Sequence, residues 1–468
     1  MPVIHRFACR VGLVAVVLLV AAACASTDRS TSTVEIPVAS TAIVAPTILE
    51  PSPPLATARP TVESTPNPTP APTPEPTPAP VVTGLGQLVA SDFELLAGKR
   101  VGVIANATSA HDGRHIIDLL AAAADVELVA AFAPEHGIRG IADAGASVND
   151  ETDPLTGIPI FSLYGANRAP TAASLAGIDV VVYDLQDVGV RYYTYISTLG
   201  LAMQAAAQAG VAFVVLDRPN PLGDRIAGFV RDDGLESFVS QYPVPSAYGL
   251  TVGELATAIV GEAWLPQLAD LNLTIVPMAN WEPAMGWEQT GLDWIAPSPG
   301  LPSLASARSY PATVLFEATT LSYGKGTEAP FQQIGATWLD GPRLAADLNA
   351  LGLPGVAFEP VGFTPSAELA PNVRLAGQQL SGVELAVTSA AGFDPVAAGV
   401  HLLATVERHA AEAGQASIID RPDFFDLLAG STQVREGIIG SVPAEQIIAA
   451  WSGDTEGFLA VHERYRRY

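Results

Sequence analysis

The chain has 468 residues, 49% of them hydrophobic, which is ample for a large core, and its 23 Lys and Arg against 48 Asp and Glu give a formal charge of −25. That balance argues against nucleic acid, whose binding rests on basic contacts to phosphates, and against docking on anionic lipid through a polybasic patch. Both cysteines, Cys9 and Cys24, fall within the first 24 residues, leaving the rest of the chain no disulfide, thiolate metal site or cysteine nucleophile.

Residues 1–24 read as an export signal. Arg6 and Arg10 precede an apolar run from Val11 to Val20, and Ala21, Ala22 and Ala23 lead to Cys24. The run is too short for a membrane span, which needs about 20 residues. Cys24 after three alanines resembles a bacterial lipobox, with Ala21 where a leucine is usual; lipidation there would anchor the mature protein at the cell surface, and simple cleavage would secrete it. Residues 25–83 are rich in Ser, Thr, Pro and Ala. Proline at alternate positions from Pro66 to Pro80 favours extended polyproline II and excludes helix and sheet.

From Gly84 the pattern turns globular. Apolar runs at Arg100–Asn106, Val126–Pro134, Ile158–Tyr164, Ile178–Asp187 and Val211–Pro219 read as buried strands, with helices at 113–124 and 194–209 between them. Such alternation predicts a mostly parallel, Rossmann-like sheet in a domain spanning 84–240. A second, mixed α/β domain is expected over 241–468. A helix begins near Thr251 with Glu254 at capping-box spacing. Strands are expected at 273–278, 312–317, 355–361 and 382–388, helices at 342–350, 394–409 and 443–450, and a loop-rich region at 279–311.

Polar residues collect where the first-half strands end. Asn106, then Glu135, His136 and Arg139, then Asp187, Arg191, Tyr192 and Tyr193, then Asp217, Arg218 and Asn220 each follow a strand. The carboxyl ends of parallel strands lie on one edge, where ligands of such sheets bind. The expectation is a polar cleft there; the plainer alternative is that the aspartates cap helices and the arginines pair with them. No GxGxxG follows the first strand, and no P-loop, GxSxG or HExxH is present, so neither a cofactor nor a metal is expected.

The motifs FAPEHGIRG, YDLQDVGVRYYTYISTL, VLDRPNPLGD, YGLTVGELA, TGLDWIAPSPGLPS and YPATVLFEATTLSYGKGTEAPF, in this order and ending in RYRRY, resemble the exo-β-N-acetylmuramidase family from Gly84 to Tyr468. The resemblance implies a glycoside hydrolase that removes N-acetylmuramic acid from the ends of peptidoglycan fragments, with its cleft between two subdomains and Glu135 as a catalytic group. Carboxylate-pair hydrolysis then makes Glu135 the expected acid, aided by His136. Asp187, Asp217 and Glu317 are, in that order, candidates for the second group, unless the substrate's acetamido group assists. Arg139, Arg191 and Lys325 are expected to meet the lactyl carboxylate, and Tyr192, Tyr193 and Trp294 the sugar faces. Asn106, Arg218 and Asn220 complete the expected substrate contacts. The chain departs from the family pattern at Tyr248, Gly300, the Glu317–Thr320 segment, Lys325 and Ala376. Those changes leave room for an alternative, a wall-binding lipoprotein with impaired turnover.

Overall fold

A computed structural model of the chain describes residues 79–138, 150–165 and 167–468. Cys24, the export signal, all but the end of the proline-rich segment, and Arg139 lie outside the described residues. Within that segment's last residues, Val81 is already buried and Thr83 caps the first helix, α1 (Gly84–Ala90).

The apolar runs form a parallel sheet. Its strands are β1 (Lys99–Ala105), β2 (Val126–Ala133), β3 (Pro159–Ser162), β4 (Val180–Asp184), β5 (Ala212–Leu216) and β6 (Leu273–Val276), in the spatial order β3-β2-β1-β4-β5-β6. A two-residue strand, Glu151–Thr152, runs antiparallel along β3 at the edge. Both faces are covered, which is why the strands read as continuous apolar runs rather than alternating ones. Val101, Val103, Val180 and Val182 enter one core, with Leu85 of α1 and Ile117 of α2 (Ile116–Ala122). Ile104, Val181 and Tyr183 enter the other.

That second core is continuous with the C-terminal half. Leu199 of α3 (Tyr195–Ala209) shares it with Phe316, Leu402 and Phe425. A three-stranded antiparallel sheet lies in this half, in the order Gln333–Ala336, Leu380–Val387, Val356–Phe363. The helix at Thr251, α4 (Val252–Gly261), carries the expected capping box with Glu254.

The expected strand at 312–317 is instead the end of a helix, α5 (Leu304–Thr313), running into a 3-10 segment, Val314–Ala318. Ser303 starts α5 by accepting from the Ser306 N–H at 3.1 Å. Val314, Phe316 and Ala318 are fully buried while Leu315 and Glu317 between them are only partly so, and such alternation imitates the two-residue period of a strand.

The reversal of strand order falls between β1 and β4, where a dinucleotide would lie in a sheet of this order. The polar side chains at these strand ends bond to one another. Asn106 donates to the Tyr195 hydroxyl at 2.8 Å and accepts from the N–H and hydroxyl of Thr108 at 2.9 and 2.6 Å. Arg218 makes a two-pronged pair with the fully buried Asp184, at 2.6 and 2.9 Å.

Candidate active site

A cavity of about 430 Å³ opens beyond the carboxyl ends of β2 and β4, bounded by residues of both halves, a size usual for small-molecule sites. Glu135 enters it from the turn after β2. His136 and Gly137 both have positive φ, 74° and 77°, and the Gly137 N–H closes the turn on the Pro134 carbonyl at 3.0 Å. A left-handed histidine is uncommon and costs energy that the surroundings must supply. The result is a carboxylate turned back over the strand end. The Thr194 hydroxyl, just before α3, donates to Glu135 Oε2 at 2.7 Å, and the Tyr164 hydroxyl also hydrogen-bonds this carboxylate. Asn106 acts from below. The Tyr195 hydroxyl, which it holds, donates to the Pro297 carbonyl at 2.6 Å, next to the Ser298–Gly300 segment of the cavity wall.

Glu317, in the 3-10 segment after α5, brings a second carboxyl into the same cavity. Burial pushes its pKa up to about 7, with a further upward push from the charge of Glu135; Lys325 and Arg421 act in the opposite direction. Glu317 therefore holds its proton close to neutral pH. Lys325 reaches the cavity from a tight turn between Gly324 and Gly326, with φ of 79° and 81°. A Cβ on Gly326 would stand 2.6 Å from the Ser366 carbonyl oxygen, so the turn excludes larger residues.

One wall is aromatic and joins both halves. Tyr193 packs edge-on against Tyr195 and Tyr310, with ring centroids 4.8 and 6.1 Å apart. Tyr310 meets Phe331 at 4.7 Å, and Phe331 stacks on Tyr323 at 5.0 Å. Burial raises the pKa of Tyr193, Tyr310 and Tyr323, so their hydroxyls stay neutral. Tyr192 also lines this wall. Trp294 does not line the cavity; it packs edge-on against Trp287 at 5.0 Å and donates to the Leu301 carbonyl.

The remaining strand-end residues lie outside the cavity, committed to the protein itself. Asp187 accepts through Oδ2 from the Gly189 N–H at 2.7 Å and from the Tyr248 hydroxyl, its Oδ1 has no hydrogen-bond partner among the described residues, and burial raises its pKa to about 6. Asp217 caps α4, accepting from Gly253 N–H at 2.8 Å and the Thr251 hydroxyl at 2.9 Å; it also accepts from the Tyr468 hydroxyl at 2.8 Å, and burial takes its pKa to about 6. Arg191 is fully buried and donates to the carbonyls of Phe229, Val244 and Leu428 at 2.8, 2.8 and 3.0 Å. Its guanidinium, brought down to a pKa of about 10 by burial, bonds main-chain acceptors through both Nη atoms, while its Nε has no hydrogen-bond partner among the described residues. Asn220 ties the Leu250 carbonyl and the Leu222 N–H together. These residues fit the structural reading, caps and internal pairs, and the cleft is narrower than the strand ends alone imply. Among the departures from the family pattern, Gly300 and Lys325 line the cavity, as does Glu317 at the head of the Glu317–Thr320 segment. Tyr310, Tyr323 and Arg421 follow no first-half strand and carry no strand-end signal; Tyr164 and Thr194 do follow strand ends, and that rule could have found them.

Residues 101–305 match the family model for the N-terminal part of the exo-β-N-acetylmuramidase NamZ, and residues 308–468 match the model for its C-terminal part. The chain is 37% identical over 390 residues to the peptidoglycan β-N-acetylmuramidase NamZ of Bacillus subtilis, spanning 83% of this chain and 91% of that protein. Two crystal structures of DUF1343 family proteins from Bacteroides fragilis superpose with TM-scores of 0.76 and 0.69, at 38% and 31% identity, each covering 83% of this chain and 99% of the other.

Proposed function

Because the chain belongs to the exo-β-N-acetylmuramidase NamZ family, we propose that it is an exo-acting muramidase that hydrolyses terminal N-acetylmuramic acid from peptidoglycan fragments. The observation that carries the chemistry is that two carboxyl groups, Glu135 and Glu317, line one cavity and feel each other's charge. Glycoside hydrolysis needs one acid to protonate the leaving oxygen and a second carboxylate to attack or to activate water. Glu317, with its pKa raised to about 7, is the better-suited acid. Glu135, held by the Thr194 hydroxyl, then serves as the attacking or water-activating carboxylate, the reverse of the role expected for it from sequence. His136 shapes the turn that presents Glu135, and the aromatic wall offers faces for the sugar ring.

The test is turnover of a chromogenic N-acetylmuramic acid β-glycoside, and of a muramic acid-terminated disaccharide, by the purified chain. Release of N-acetylmuramic acid from the non-reducing end supports the reading. Binding without release would favour a wall-binding protein instead.

The lipobox-like Cys24 and the proline-rich segment after it support a place at the cell surface, tethered by lipid and held out into the wall. On that reading, Cys24→Ala protein leaves the membrane fraction, either as secreted or as unprocessed chain. Equal membrane retention of mutant and wild type would overturn it.

A further inference from the structure

We infer that Arg421, together with Lys325, forms a carboxylate-binding corner of the cavity that recognises an acid group carried by the substrate sugar itself. The inference rests on the muramidase reading above and names the element of the site that distinguishes an acidic sugar from a neutral one.

The argument begins with how basic side chains are used. In a chain with twice as many acids as bases, arginines readily find partners. Arg218 is paired with Asp184, Arg308 with Glu288 and Arg435 with Asp426. Arg374 grips Asp420, the residue immediately before Arg421, at 2.8 and 3.1 Å. The acid nearest to Arg421 in sequence is thereby taken. Among the described residues, neither Arg421 nor Lys325 forms an ion pair, yet both line the cavity. Arg421 is nevertheless fixed in place. Its guanidinium lies over the Phe424 ring, 4.3 Å from the centroid, a stacking that orients the plane and leaves its edge open. Among the described residues the guanidinium's hydrogen bond is a long one, 3.4 Å, to the Glu317 main-chain carbonyl.

Both cations act on Glu317, lowering its proton affinity, so both stand near the acid rather than elsewhere on the wall. The third cavity cation, Arg168, lies over Phe238 and acts on Tyr164, on the Glu135 side. An oriented guanidinium edge beside an ammonium suits a single carboxylate, which arginine meets with two parallel hydrogen bonds. A phosphate dianion would bring a second negative charge against Glu135 and Glu317. The muramic acid ring carries such a carboxylate in its lactyl group. A bound carboxylate would also offset the two cations that draw the proton from Glu317, so the correct substrate strengthens the hold of the acid on its proton.

Arg421→Gln and Arg421→Lys would be compared with wild type on two chromogenic glycosides, one of N-acetylmuramic acid and one whose lactyl carboxylate is a neutral methyl amide. Wild type prefers the acid form. In Arg421→Gln that preference, read as the ratio of kcat/KM values, should fall about 10- to 100-fold, the size of a charge-assisted hydrogen bond, chiefly through KM. Arg421→Lys should restore part of it. With one cation removed, the basic limb of the kcat/KM profile should also move to higher pH. An unchanged ratio, or equal loss on both substrates, would overturn the inference. Failure of wild type to cleave either glycoside would instead overturn the muramidase reading.

Discussion

Glu135→Gln should lower kcat about 10²- to 10⁴-fold, on a natural disaccharide and on an activated aryl glycoside alike. A group that attacks the anomeric carbon or activates water is needed whatever the leaving group, so a good leaving group brings no relief. The substitution keeps side-chain length, and the glutamine carbonyl can still accept from the Thr194 hydroxyl, which lies 2.7 Å from Oε2. The left-handed backbone at His136 and Gly137 is unaffected. Folding, followed by thermal unfolding, should match wild type. KM should change little, because the aromatic wall and the cations of the cavity remain. Steady-state kinetics on the two substrates decides the role. If the disaccharide suffers and the aryl glycoside is largely spared, Glu135 is the acid and the assignment proposed here must be exchanged. If neither loses activity, the catalytic pair lies elsewhere.

The fold was largely readable because a parallel sheet covered on both faces leaves a simple trace: apolar runs such as Val101–Ile104 and Val180–Tyr183 separated by helices. The residues that sequence named and the cavity contains are Glu135 and His136, Tyr192 and Tyr193, Glu317 and Lys325, and the limit has a definable reason. The rule that parallel strands end on one edge holds here, but it does not say what covers each end. The end of β5 is roofed by α4 and the C-terminus, which use Asp217 as an acceptor through Gly253 and Tyr468. Arg191 sits in one of the motifs that carry the family resemblance, yet the hydrogen bonds of its guanidinium go to main-chain carbonyls, because buried donors are bonded wherever acceptors are close. The contacts that complete the cavity are long-range. Thr194 meets Glu135 from 59 positions away, and Arg421 meets Glu317 from 104. No local pattern encodes such pairings. The misread strand at 312–317 has a local cause: buried Val314, Phe316 and Ala318 alternate with partly exposed Leu315 and Glu317, which imitates the period of a strand.

Glu317→Gln should separate the two substrates where Glu135→Gln does not. If Glu317 donates the proton to the leaving oxygen, the disaccharide, whose sugar alcohol is a poor leaving group, should lose about 10²- to 10⁴-fold in kcat, while an aryl glycoside with an acidic phenol should lose far less. The pH dependence gives an independent reading. Burial raises the Glu317 pKa to about 7, so wild-type activity on the disaccharide should fall as pH rises through that value, and this limb should be missing from the residual activity of the variant. Stability follows the same sign. The folded state binds this proton more tightly than the unfolded chain, whose glutamate titrates near 4.3. The stabilising contribution is therefore complete below about 4.3 and is lost as pH rises to about 7. Asp187 and Asp217, with pKa values raised by burial to about 6, add slopes of the same direction. Glutamine at 317 cannot ionise, so the variant should lose its share of this slope and gain stability relative to wild type at and above neutral pH, measurable as a narrowing and then reversal of any Tm deficit between pH 5 and pH 8. A basic limb that persists unchanged in the variant would assign it to another group and remove Glu317 from the role of acid.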